Sequence, residues 1–201
     1  MTAGPATSRD AAWVTLETRS SPGELIEFCQ DIERLFRINP WLEFDSWETA
    51  SPDRFRAAMK NLSNSRSFQQ EIKLQRLSPL SFRVIYSTGI KRSTSFEIAT
   101  VPKGSTLTIT DEYNVPGGTT QSERESEVDR SLHAWGVALR TYIERNHRWG
   151  WLPGWQVYHR RIWLPMKPAS RRISKLIVLV TLAEFAFFLL VVTIFWLEQR
   201  R

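Results

Sequence analysis

The sequence predicts an α+β domain, built from one antiparallel sheet and two helical segments, followed by one transmembrane helix. Hydrophobic and polar residues alternate with a period of two from Trp41 to Tyr113, which is typical of β-strands. Stretches with helical spacing of apolar residues lie on either side of this region. Residues 176–197 form an apolar run interrupted only by two threonines and Glu184. As a helix this run is roughly 33 Å long, enough to cross a hydrocarbon core of about 30 Å.

The domain is expected to begin with a strand and a helix. Residues 1–9 are predicted to be disordered, and residues 12–20 alternate well enough for a strand. The sequence Ser-Pro-Gly-Glu at 21–24 matches a capping box with proline in the first turn. Apolar residues then follow at helical spacing, and Asn39-Pro40 ends this single helix.

Six strands with hairpin-length connections are predicted next, and they imply one antiparallel meander. Their bounds are 42–48, 54–61, 68–76, 81–87, 94–100 and 105–113. One face is expected to be apolar and the other wet. The predicted inward set is Phe68, Ile72, Leu74, Phe82, Val84, Tyr86, Phe96, Ile98, Leu107 and Ile109.

A long second helix follows the sheet. Pro116-Gly117-Gly118 breaks the last strand, Ser122 and Glu125 match a second capping box, and the apolar stripe continues to about His147. Gly136 lies in the middle of this helix, where glycine costs about 1 kcal/mol relative to alanine. It therefore indicates a close approach to the sheet or to a ligand, and the domain is expected to span residues 10–148.

Residues 149–175 are rich in tryptophan and basic side chains, and no acidic residue occurs among residues 160–175. Acidic and basic residues balance over residues 1–159, so the basic pI is a property of the membrane flank. Such a flank favours an interfacial position on anionic lipid and a cytoplasmic domain, with 198–201 as a short far-side tail. The predicted membrane-interface residues are Trp151, Trp155, Arg160, Arg161, Trp163, Arg171, Arg172 and Lys175. The alternative is that these rings pack against the domain.

Two further features bear on the compartment. Residues 1–19 have no apolar core of a signal peptide, and the single Cys29 permits no disulfide within the chain. A bacterial inner membrane is the expected location. No nucleic-acid partner is expected, because no basic stripe remains once the flank is removed.

The order strand, helix, six-stranded meander and long helix resembles the START-like or Bet v 1-like (SRPBCC) superfamily, which includes polyketide cyclase, lipid-transport and coenzyme-Q-binding branches. The resemblance covers residues 10–148 and rests on element order. It implies a helix-grip fold, in which a curved sheet surrounds the long helix and a cavity between them takes a hydrophobic small molecule. The lining residues implied are Phe82, Tyr86, Phe96, Ile109, Leu132, Trp135 and Leu139. The alternative is that this set is an ordinary α+β core.

Three functions remain open. The leading hypothesis is a membrane-tethered module that binds a lipid, quinone or polyketide-like molecule. A cyclase or aromatase-type enzyme is the second, with His133, Arg83 and Tyr86 as weak catalytic candidates. It requires an inward pair such as Tyr86 with His133 or Arg83, which the sequence does not show, and no catalytic motif is present. The third is a ligand-free assembly factor that contacts another membrane protein through Glu184 and the tryptophan segment, residues 149–175. No cofactor or metal is expected, since the chain has one cysteine and three separated histidines.

Overall fold

The computed structural model describes residues 11–113 and 121–199, with the backbone alone for residues 121–130. It divides into one compact unit that ends at Pro165 and a second that begins at Met166. The first unit contains seven strands, and the second unit contains one long helix. The predicted α+β class is therefore confirmed. The elements are β1 Ala11–Thr18, α1 Pro22–Gln30, α2 Ile32–Arg37, β2 Leu42–Ser51, β3 Arg54–Asn61, β4 Arg66–Ser78, β5 Ser81–Tyr86, β6 Lys91–Val101, β7 Gly104–Tyr113, α3 Gln121–Trp149, α4 Trp155–Tyr158 and α5 Pro168–Glu198.

The seven strands form one antiparallel sheet in the order β1-β7-β6-β5-β4-β3-β2. The predicted six-stranded meander is present as β2 to β7, and β1 is added beside β7, with Leu16 opposite Leu107. Of the predicted inward set, Tyr86 is half-buried and Phe68, near the β3–β4 hairpin, is 38% exposed; the other eight residues are buried. The apolar face therefore lies where the alternation predicts it, except at Phe68, which shares the face of buried Met59 but is not part of the core.

The predicted first helix is two helices, because the chain leaves the helical conformation at Asp31 (φ −78°, ψ 81°). The Asp31 carboxylate accepts a hydrogen bond from the Arg34 backbone N–H at 3.2 Å and so caps α2. The predicted capping box of α1 is confirmed: Ser21 N–H donates to Glu24 Oε2 at 2.9 Å, and Glu24 N–H donates to Ser21 Oγ at 3.3 Å.

The long helix α3 packs across β1 through Gly136. A Cβ atom at this position would lie 3.0 Å from a methyl group of Val14 and 3.1 Å from one of Leu16. The predicted close approach of Gly136 to the sheet is thus confirmed. At the preceding residue, the Trp135 indole N–H donates to the Leu35 carbonyl oxygen at 3.1 Å and ties α3 to α2. The predicted break at 116–118 lies outside the described residues, and the predicted Ser122–Glu125 capping box lies where only the backbone is described.

After α3 the chain turns back and packs on the same helix. A π-helical turn, His159–Trp163, follows α4 directly. The Trp163 ring lies 5.8 Å from that of Tyr142 on α3, and Leu164 is buried in the core. Part of the segment predicted to lie on a membrane is therefore packed against the domain.

The second unit is the helix α5, which begins before the predicted apolar run. Its most apolar window has a mean hydropathy of 2.7 and is entirely exposed in the structure. Within the described part of the chain, α5 is long and apolar enough to cross a membrane. Glu184 lies within it.

Candidate binding site on the inner face of the sheet

Four aromatic side chains on the inner face of the sheet are only half-buried, and we call them the aromatic rim: Phe44, Trp47, Phe55 and Tyr86. Trp47 is central, with its ring centroid 5.8 Å from that of Phe44 and 5.5 Å from that of Phe55. The buried ring of Phe36 lies beneath, 6.3 Å from Trp47 and 6.2 Å from Tyr86. The rim is thus an apolar surface supported by α2 and still partly open.

A β-bulge brings two of these rings to the same face. Phe44 and Trp47 are separated by an odd number of positions, which in a regular strand places side chains on opposite faces. The register of β2 against β3 shifts between Phe44 and Ser46, so both rings lie opposite buried residues, Met59 and Ala57. The bulge therefore builds the centre of the rim.

Trp47 has an unpaired polar group in this apolar surface. Its indole Nε1–H is buried, and no acceptor contacts it among the described residues. A buried N–H without a partner costs roughly 1–3 kcal/mol. A guest with a carbonyl, hydroxyl or ether oxygen that reached this N–H would remove that cost.

A buried polar network begins at the edge of the rim. The Tyr86 hydroxyl and Thr94 Oγ1 are 2.8 Å apart, Thr94 Oγ1 donates to Asp111 Oδ1, and Asp111 Oδ2 accepts from Lys91 Nζ and, at 3.2 Å, from the Tyr113 hydroxyl. Because a carboxylate only accepts, the single Thr94 proton is used on Asp111. The Tyr86 hydroxyl must therefore donate to Thr94, which leaves its oxygen free to accept from a guest.

The network holds Tyr86 in its protonated form. Burial, and secondly the negative charge of Asp111, raise the pKa of the Tyr86 phenol well above its usual range. Asp111 itself is completely buried, and its carboxylate is neutralised by Lys91, which is partly exposed. Tyr86 is thus fixed as a neutral hydrogen-bonding group at the edge of an apolar surface.

The other residues implied as cavity lining lie together in the core beneath this region. Phe82 and Phe96 stack at 4.7 Å, and Phe96 meets Trp135 edge-on at 5.9 Å. Six of the seven are buried in one cluster, and only Tyr86 is half-buried: Phe82, Phe96, Ile109, Leu132, Trp135 and Leu139. They support the site, and Tyr86 is the member that also belongs to the rim.

The structure does not bring the catalytic candidates together. Arg83 lies on the outer face, where its Nε donates to Ser95 Oγ at 3.1 Å and its Nη2 lies 3.5 Å from Glu112 Oε1. His133 is exposed on α3. Arg83 and Tyr86 point to opposite faces of β5, so they do not pair. Among the residues that the structure describes, no hydrogen bond joins the exposed His133 to Tyr86. In the described ranges, no group of three metal-binding side chains is present.

An open pocket of about 290 Å³ lies near the β2–β3 hairpin. Most of its lining belongs to the outer-face set, including Arg54, Arg56, Glu71 and Lys73, which are exposed. Arg56 Nε donates to Glu71 Oε1 at 3.0 Å across the neighbouring strands. Phe55, Ile72 and Tyr86 of the inner face also line it, so the pocket borders the aromatic rim.

The predicted membrane-interface residues divide into two groups. Trp151 is 76% exposed, and Arg160, Arg161 and Arg172 are also exposed. Lys175 is exposed as well, whereas Trp155 and Trp163 are half-buried and Arg171 is buried.

These elements define the helix-grip fold of the START-like class: a long helix held by a seven-stranded antiparallel sheet. The structure is similar to that of a START superfamily protein from Mycobacterium smegmatis, with a TM-score of 0.56 and 14% identity over 68% of this chain and 98% of that one. It is also similar to a conserved protein from Geobacillus kaustophilus, with a TM-score of 0.52 and 11% identity over 68% and 95% of the two chains. No family model and no curated protein matches the sequence. The resemblance to the START-like fold is therefore confirmed.

Sequence reasoning did not identify Phe44, Trp47, Thr94 or Lys91 as site residues. A bulge leaves no clear signal in the alternation, so the shared face of Phe44 and Trp47 was not readable. Asp111 of β7 is a further site residue that the predicted set does not include. The structure places it inward, opposite Thr94 on β6.

Proposed function

We propose that this chain is a membrane-tethered binding module for a hydrophobic small molecule, of lipid, quinone or polyketide-like chemistry. The observation that carries the proposal is the aromatic rim with its unpaired Trp47 N–H. Ligand sites are mostly apolar, with a few polar groups that orient the guest. Here the rings supply the apolar surface, while Trp47 supplies a donor and Tyr86 an acceptor.

The helix α5 supports the tether. A guest that partitions in a bilayer is most concentrated where a membrane-anchored domain can reach it. The domain is proposed to lie on the cytoplasmic side, because the basic residues before the apolar run attract anionic headgroups and stay inside. Arg160, Arg161 and Arg172 are exposed and available for that contact.

The test is retention of a guest by the full-length protein purified from membranes in a phosphate-free detergent. Native mass spectrometry combined with organic extraction is expected to find a stoichiometric apolar molecule. Trp47→Phe keeps an aromatic ring and removes the N–H, so it is expected to lower the affinity for the guest about fivefold or more, the value of one hydrogen bond.

Trp13→Phe is the matched control, because Trp13 is 51% exposed on the outer face of β1. It is expected to retain the guest at the wild-type level. An empty wild-type protein that stays empty against lipid and quinone panels contradicts the proposal. That outcome favours the assembly-factor alternative, in which Glu184 and the tryptophan segment contact another membrane protein.

The cyclase-type alternative is supported by one observation, the hydrogen-bonded chain from Tyr86 through Thr94 to Asp111. A protonated phenol beside an apolar surface can act as a general acid on a bound carbonyl. Under this alternative, an extracted polyketide-like guest is converted by the wild-type protein and left unchanged by Tyr86→Phe. Binding without conversion in both proteins favours the binding module.

A further inference from the structure

A second cluster of unpaired polar atoms lies away from the aromatic rim, where α4 and the π-helical turn pack on the end of α3. Three nitrogen atoms here are buried without a hydrogen-bond partner among the described residues: Arg145 Nε, Trp155 Nε1 and His159 Nδ1. Each buried polar group left in this state costs about 1–3 kcal/mol. Three at one place indicate that the site is built for an occupant.

The geometry brings the three side chains together through their rings. The His159 imidazole lies 4.3 Å from the Trp155 ring and 5.4 Å from the ring of Trp163. The Arg145 guanidinium lies over the same Trp163 ring at 5.6 Å. His159 is only 3% exposed, and the Tyr142 ring lies 5.4 Å from it on the α3 side. All these contacts are within the first compact unit.

All three nitrogen atoms can act as hydrogen-bond donors. Arg145 Nε and Trp155 Nε1 can only donate a hydrogen bond, and His159 Nδ1 donates in one neutral tautomer. Burial, and secondly the charge of Arg145, lower the pKa of His159 to about 4, so the ring is neutral at physiological pH. A single water accepts at most two such bonds, whereas a tetrahedral oxyanion has acceptors for all three. The fixed positive charge of Arg145 also favours an anion.

We propose that Arg145, Trp155 and His159 form a binding site for a phosphate group. Arg145 supplies the charge, and the Trp155 and His159 N–H groups fix the position of the oxygen atoms. The phosphate belongs either to a lipid headgroup or to a free phosphate ion. The lipid source is favoured because these residues shortly precede α5 in the sequence, and this part of the inference rests on the proposed membrane tether. The site itself does not depend on a guest at the aromatic rim.

The experiment uses the full-length protein in a maltoside detergent, which contains no phosphate. The indole ¹H–¹⁵N signal of Trp155 is assigned by its loss in Trp155→Phe and then followed in two titrations. One arm adds inorganic phosphate, and the other adds dihexanoyl phosphatidic acid. A saturable shift in either arm is the expected result, and the arm with the tighter response identifies the source.

Two variants and one control locate the response. Arg145→Gln and His159→Phe are each expected to weaken the response about tenfold or more, since each removes a donor and the first also removes the charge. Arg148→Gln is the matched control, because Arg148 is an exposed arginine near the end of the same helix, and it is expected to leave the response within about twofold. If Arg145→Gln does not fold, Arg145→Lys keeps the charge but removes the Nε–H.

Two outcomes overturn the proposal. If the Trp155 signal does not shift in either arm, the three N–H groups are satisfied by water alone. If it shifts equally in wild type and in the variants, phosphate binds elsewhere. A failure here leaves guest retention at Trp47 unaffected, so this inference and the proposed function fail separately.

Discussion

Three glycine-to-alanine substitutions in this domain separate the effect of steric clash on stability from that of backbone strain. Gly104 opens β7 with φ +136°, and a Cβ atom there would lie 2.0 Å from the carbonyl oxygen of Thr18. Gly89 has φ +96° but nothing within 4 Å of its Cβ position, and Gly23 in α1 has neither problem. Alanine therefore meets both a clash and backbone strain at Gly104, strain alone at Gly89, and neither at Gly23.

The magnitude for Gly104→Ala follows from what must move. The positive φ costs about 1–3 kcal/mol for a residue with a side chain. The clash is with backbone, so no side-chain rotation relieves it, and the end of β1 must separate from β7. Thr18 pairs with Ser105, whose hydroxyl also donates to the Ser20 carbonyl at 2.8 Å. Loss of these bonds, at about 1 kcal/mol each, brings the total to about 3–5 kcal/mol.

The assay is equilibrium unfolding of the full-length protein by urea in detergent, followed by tryptophan fluorescence. Gly89→Ala is expected to lower the free energy of unfolding by about 1–2 kcal/mol. Gly23→Ala is expected to raise it by up to about 1 kcal/mol, because helical glycine is unfavourable. The entropy that alanine removes from the unfolded chain is common to all three variants. Gly104→Ala within about 1 kcal/mol of Gly89→Ala would refute the clash argument.

Three further predictions concern the buried ion pair, the helix–sheet contact and pH. Asp111→Ala is expected to lower the free energy of unfolding by about 3 kcal/mol, because it removes the partner of buried polar groups. Glu71→Ala, which breaks an exposed ion pair, is expected to cost less than about 1 kcal/mol. Equal losses in urea unfolding would contradict this prediction. Gly136→Leu is expected to lower the free energy of unfolding by about 1–3 kcal/mol, because the larger side chain overpacks against β1. Val137→Leu, at the exposed neighbouring position, is expected to change it by less than about 0.5 kcal/mol. The same thermal midpoint for both variants would exclude the close contact. The pKa of His159 is lowered in the folded protein, so the unfolded state binds more protons between pH 6.5 and about 4, and stability falls as the pH falls through that window. Thermal melts of His159→Phe are expected to lose this pH dependence. A pH profile of stability that is the same as that of the wild type would refute the prediction.

The alternation of apolar residues was sufficient to predict the sheet and most of its buried face. Period-two patterning gives strand faces directly, and β3 matches its predicted bounds of 54–61. Gly136 was readable for the same reason, since glycine in a helix interior requires a compensating contact. In both cases the predicting pattern is local in the sequence, although the contact of Gly136 with β1 is not.

The candidate site depends on features that are not local. The bulge in β2 turns Trp47 toward the core, and its cause lies in pairing with β3. Asp31 looks like any polar residue of an amphipathic helix, yet its side chain caps α2 and divides the helix in two. Asp111 is tolerated in the core only because Lys91 neutralises its charge and Thr94 donates a hydrogen bond to it. Such compensation is visible only in the folded chain.

The addition of β1 beside β7 has a consequence for how the protein comes to fold. The first strand cannot pair until the last strand of the meander has been made, and the Trp135 to Leu35 hydrogen bond joins residues 100 positions apart. Contacts of such long range make folding slow, because a large loop must close before they form. We therefore expect the ribosome to release nearly the whole domain before its sheet is complete, leaving β1 available to chaperones during synthesis.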